Sequence, residues 1–66
     1  MKSKLAIALF IANAPQYEIA DAAGMSETRL SRIALGRIVP TAEERRQIAR
    51  ALKKAEAELF PREGQR

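Results

Sequence analysis

The chain has 66 residues and holds neither cysteine nor histidine. Without cysteine there is no disulfide framework, and without either residue the usual zinc ligand sets are excluded. The same two absences remove the commonest catalytic side chains. The expectation is therefore a protein that is no enzyme and takes no metal, cofactor or small-molecule substrate. Aromatic residues are scarce, with one tyrosine and two phenylalanines, and runs of β-branched residues are few, which argues against a sheet. The longest apolar stretch, Leu5 to Ala12, is eight residues. That is too short to span a bilayer, so no membrane partner is expected.

What is present points to helices. The apolar fraction of 47% is rich in alanine and leucine, both strong helix formers. At this size a single core barely suffices, so stability must come from well-packed helices, self-association or both. Twelve Lys/Arg against eight Asp/Glu leave a formal charge of +4. An anionic partner is favoured, nucleic acid before a membrane surface.

The opening letters MKSKLAIALFIANAP admit two readings. Lysines, an apolar run and the small-x-small triplet Ala12-Asn13-Ala14 imitate a secretory signal peptide. The same letters also suit the first helix of a small domain. A cut after Ala14 would leave Pro15 beside the cleavage site and strip the partner helix from Ile19, Ile33 and Leu52. The segment is read as the first helix, and the protein as cytoplasmic.

Breakers at Asn13-Ala14-Pro15, at Gly24 and from Gly36 to Pro40 divide the chain into four helical pieces. The first runs roughly from Ser3 to Asn13. Pro15 suits the first turn of a second helix, which reaches about Ala23 before Gly24 stops it. Ser26 caps a third helix ending before Gly36. Thr41 caps a fourth, and Glu44 completes a capping box. From there Ile48, Leu52, Ala55 and Leu59 recur at 4-3-4 spacing, so one apolar stripe continues to Phe60, and the pattern leaves open whether the last helix runs unbroken or breaks near Lys53. The fold class expected is all-α, a compact four- to five-helix bundle containing a helix-turn-helix. It forms one domain over 1–60, followed by a polar tail over 61–66.

The informative stretch is QYEIADAAGMSETRLSRIALG, Gln16 to Gly36. Two short helices flank a glycine turn. Ala20 is small enough to sit where they cross, Gly24 allows the positive φ of the turn, and Met25 fills the apolar gap beneath. Ile19, Ala23, Leu30 and Ile33 form the shared core. At about 100° per residue, Leu30 and Ile33 define the inner side of the second helix. Thr28, Ser31, Arg32 and Leu35 then point outward, with Glu27 and Arg29 on the flanks.

In this register the chain resembles the lambda-repressor-like helix-turn-helix family, the Cro, phage-repressor and Xre-type regulators. The resemblance rests on Gln16, Ile19, Ala20, Gly24, Met25, Ser26, Leu30, Ser31, Ile33 and Gly36, together with Pro40-Thr41 ahead of the fourth helix. It covers about residues 4 to 60. It implies that the second helix of this pair, the chain's third, enters the major groove of double-stranded DNA. The base-reading positions fall on Glu27, Thr28, Ser31 and Arg32. Arg32 is the strongest candidate, since its fork can bond guanine O6 and N7 together. Phosphates would be held by Gln16 and Tyr17 at the start of the second helix, with Arg29 and Arg37 as charged clamps. Each feature also has a plainer reading: the arginines could serve solubility, Tyr17 could cover the core edge, and the stripe of Arg46, Arg50 and Lys53 or Lys54 could be a solvated face.

Three departures from the family pattern stand out. Ala34 occupies a position that is often acidic and paired with an arginine in the first helix, where this chain offers Leu9 and Phe10 for apolar packing. Leu35 is apolar on an outward position. Lys53 stands where a glycine commonly breaks the fourth helix, which would leave Ile38, Val39, Leu59 and Phe60 as apolar surface for a homodimer or partner contact. The expected function is a sequence-specific transcriptional regulator, a small phage or mobile-element type repressor binding a palindromic operator as a dimer. The alternative is a protein-interaction module or antitoxin that uses the same fold to hold a protein partner.

Overall fold

The computed structural model describes residues 3–60; the tail assigned to 61–66 lies outside the described residues. Five helices follow one another: α1 Lys4–Ile11, α2 Gln16–Ala22, α3 Glu27–Ala34, α4 Ala42–Leu52 and α5 Glu56–Leu59. No strand occurs among the described residues. Side-chain caps start three of the helices. Ser3 Oγ accepts from Ala6 N–H at 3.0 Å, Ser26 Oγ from Arg29 N–H at 3.1 Å, and Thr41 Oγ1 from Glu44 N–H at 3.0 Å. The Glu44 carboxylate returns the Thr41 bond, accepting its N–H at 2.9 Å, so the expected capping box is complete. Pro15 sits one place earlier than expected, as the cap residue of α2 rather than inside its first turn.

Three helices end in the same way. In each, one residue turns left-handed and its neighbour's N–H reaches back to a carbonyl five residues earlier. After α2 this residue is Gly24 (φ 75°), with Met25 N–H bonded to Ala20 O at 3.0 Å. After α3 it is Gly36 (φ 81°), with Arg37 N–H bonded to Arg32 O at 2.9 Å. After α4 it is Lys53 (φ 59°), with Lys54 N–H bonded to Ala49 O at 3.0 Å.

The third ending decides between the two readings of the last helix: it breaks at Lys53. A lysine takes the left-handed conformation at a cost of about 1–2 kcal/mol because the turn lets α5 fold back. That fold-back packs α5 on α1 and α4 and buries Leu59 to 3% exposure. Ala55 consequently leaves the apolar stripe: it is exposed, and its N–H is capped by Glu58 Oε1 at 3.2 Å. Arg45 Nε lies 3.8 Å from Glu56 Oε1 across the α4–α5 turn.

Every helix contributes to one core. Leu5, Leu30 and Ile48 are the largest fully buried side chains, joined by Ala8, Ile19, Ala20, Ala23, Ile33, Ala34, Ala49 and Leu59. Ala20 is 1% exposed, and α2, the helix that carries it, packs against both α3 and α4. Met25 is half-buried against this core. The expected apolar replacement near Ala34 forms only in part. Leu9 packs against the core, whereas Phe10 points outward at 87% exposure. The direct bond between the first and third helices there is polar: Ser3 Oγ donates to Ala34 O at 2.8 Å.

Candidate nucleic-acid interface

α3 presents two faces because its apolar residues recur at helical spacing. Leu30, Ile33 and Ala34 are buried. On the other side lie Thr28, Ser31, Arg32 and Leu35, at i, i+3, i+4 and i+7. Thr28 and Arg32 are exposed, Ser31 is half-buried, and Glu27 is exposed at the start of the helix. These four polar residues line one open depression together with Gln16, Leu35, Arg37 and Ile38. Residues from α2, α3 and the α3–α4 connection thus meet around the outer face of a single helix. A polar, partly cationic concavity of this kind suits a phosphate-bearing groove edge better than a small apolar ligand.

The side chains expected at phosphates divide into two groups. Gln16 and Arg37 belong to the depression. Tyr17 is 61% exposed, does not line the depression and is not among the residues packed on the core. Pro15 supplies no side-chain cap to α2, so the first-turn N–H groups of Gln16 and Tyr17 stay uncapped by any neighbouring side chain.

Arg29 turns away from the depression. Its Nε bonds Glu44 Oε2 at 2.6 Å and its Nη2 bonds Glu44 Oε1 at 3.1 Å. The guanidinium hydrogen bond is the main reason the Glu44 carboxyl is held below its ordinary value, helped by the Thr41 N–H. In return, the hydrogen bond and charge of Glu44 push the Arg29 guanidinium further up. Glu44 was legible as a capping residue, but its second role was not. It lies 15 positions from Arg29, and nothing in that spacing marks a pair until α3 and α4 are placed side by side.

The apolar residues expected at a dimer or partner contact also divide. Val39 is 85% exposed, and Ile38 and Phe60 are half-buried. Leu59 is covered by the protein's own core and presents no surface. Leu35 remains outward at 66% exposure. Among the described residues no helix is long and apolar enough to cross a membrane.

Two short helices joined by a glycine turn, set among the five helices of the described residues, define a helix-turn-helix domain. The family described as helix-turn-helix matches residues 13–59 of this chain. The chain belongs to this lambda-repressor-like, Xre-type family of DNA-binding regulators. No curated protein and no solved structure matches it.

Proposed function

We propose that this DNA-binding domain is a sequence-specific repressor of the small phage or mobile-element kind, acting as a dimer on a two-fold operator. The observation that carries the reading is the shared depression around α3, where Glu27, Thr28, Ser31 and Arg32 stand beside Gln16 and Arg37. In that arrangement α3 enters the major groove. Arg32 forks onto guanine, Thr28 and Ser31 offer hydroxyls, and Glu27 accepts from a cytosine amine. Gln16, Tyr17 and Arg37 bond the backbone on either side.

Half-sites one helical turn apart, about 34 Å, put each recognition helix about 17 Å from the two-fold axis. A protomer measuring 32 × 22 × 22 Å spans that distance without a linker. Ile38, Val39 and Phe60 supply the apolar contact between protomers. With Leu59 committed to the core, that contact is small, and the DNA itself helps hold the dimer together.

The test is a selection from random duplexes at moderate salt. An enriched inverted repeat with a fixed guanine in each half-site is the expected result, and Arg32→Ala should relax that base by about 1–3 kcal/mol. Retained sequences that stay random would remove Arg32 from base reading. The alternative, a module or antitoxin holding a protein partner, draws on the outward Leu35 and Val39. It would then become the better reading.

A further inference from the structure

One charged pair lies at the edge of the DNA-facing surface and is not explained by folding alone. Arg29 follows Thr28 directly in the first turn of α3, and its side chain is 40% exposed. It is nevertheless held in a fork by both carboxylate oxygens of Glu44. Oε1 of Glu44 also accepts the Thr41 N–H, so the same carboxylate is tied to the start of α4 as well as to Arg29. A pair this exposed adds little stability. Its larger consequence is electrostatic: a guanidinium next to a base-reading position is neutralised by an acid on the neighbouring helix.

We propose that Glu44 acts as a selectivity element, withholding Arg29 from phosphates so that the recognition helix gains little from DNA of the wrong sequence. On duplex of any sequence, a free Arg29 would add a backbone contact and favour specific and non-specific sites alike. With Glu44 in place, a phosphate must compete with a bidentate carboxylate already in position. Discrimination then rests on the outward side chains, Arg32 above all. This inference depends on the DNA-binding reading of the α3 surface and identifies Glu44 as a positioning residue that acts through Arg29.

Glu44→Gln is the informative change, because the amide oxygen can still accept the Thr41 N–H while the charge is lost. The full chain, its Glu44→Gln and Arg29→Ala variants and the double variant would each be titrated with a random-sequence duplex across a salt series. Thermal melts would run alongside to confirm folding. E44Q should bind this duplex more tightly, with its log affinity against log salt steeper by roughly 0.9, one additional phosphate. The ratio of E44Q to wild-type affinity should shrink about three- to fourfold between 50 and 200 mM salt. The double variant should return to the slope of R29A.

An E44Q slope equal to wild type overturns the inference. So does a double variant that keeps the steeper slope, since the effect would then be loss of a negative charge without any part for Arg29. Wild-type binding that ignored salt altogether would instead bring down the DNA-binding reading, and this inference with it.

Discussion

α1 and α3 are each eight residues long and each begins with a serine cap, yet they relate to the core in opposite ways. α3 separates its residue types: Leu30, Ile33 and Ala34 face inward, and polar residues with the single Leu35 face outward. α1, KLAIALFI, is apolar nearly all round. It buries only Leu5 and Ala8 while leaving Ile7, Phe10 and Ile11 at 48%, 87% and 64% exposure. The difference shows that a helix's inner face follows from what packs against it, and only sometimes from its own pattern. Where polar and apolar residues are segregated, the pattern and the packing agree. Where nearly every residue is apolar, any of several stripes could face inward, and the neighbours choose.

The sharpest way to break this comparison is to truncate one buried leucine from each helix. Leu30→Ala and Leu5→Ala should each cost about 2–5 kcal/mol in urea unfolding. For a domain of this size that is most of its stability. If Leu5→Ala proved harmless, α1 would be an appendage rather than part of the core.

The caps sharpen it next. Ser26→Ala removes one cap bond from α3 and should cost about 1 kcal/mol. Ser3→Ala removes the α1 cap and also the 2.8 Å bond to Ala34 O. Its loss should exceed that of Ser26→Ala by roughly another 1 kcal/mol, because a partly buried carbonyl is left without its donor. Equal losses in thermal melts would mean that the link between the two helices carries no energy.

A smaller effect should appear in acid. The Glu44 carboxyl is lowered in the folded protein by Arg29 and by the Thr41 N–H. Its contribution to stability is therefore complete above the ordinary value of 4.5 and is lost as the pH falls through the lowered folded-state value. The gap in melting temperature between wild type and Glu44→Gln should narrow across that acid window. A gap that stays constant would mean that the pair adds nothing to stability. The smallest effect belongs to Phe10→Ala, expected to stay within about 0.5 kcal/mol of wild type despite removing an aromatic ring. A large loss there would show that the outer face of α1 is covered in solution.

Much of the fold was legible because local chemistry and tertiary structure agree in the middle of the chain. Gly24, Ser26, Gly36 and Thr41 each announce a helix end through a conformation or a bond that few other residues supply. The depression was partly legible for the same reason. Once Leu30 and Ile33 face inward, Thr28, Ser31 and Arg32 must face outward. The partnership of Arg29 was hidden because an ion pair between helices depends on how those helices pack. Phe10 misled because an aromatic residue signals burial in general without saying which stripe of α1 is chosen.

By itself the sequence determined the helical class, the helix-turn-helix and the outward face of α3. All three follow from bonds and periodicities confined to a few neighbouring residues. Tertiary structure alone decided the break at Lys53, the burial of Leu59, the Ser3–Ala34 bond and the capture of Arg29 by Glu44. Each of these joins residues on different helices or strains one residue so that such a contact can form. A left-handed lysine has no local advantage, and it persists because the turn it makes lets Leu59 leave water.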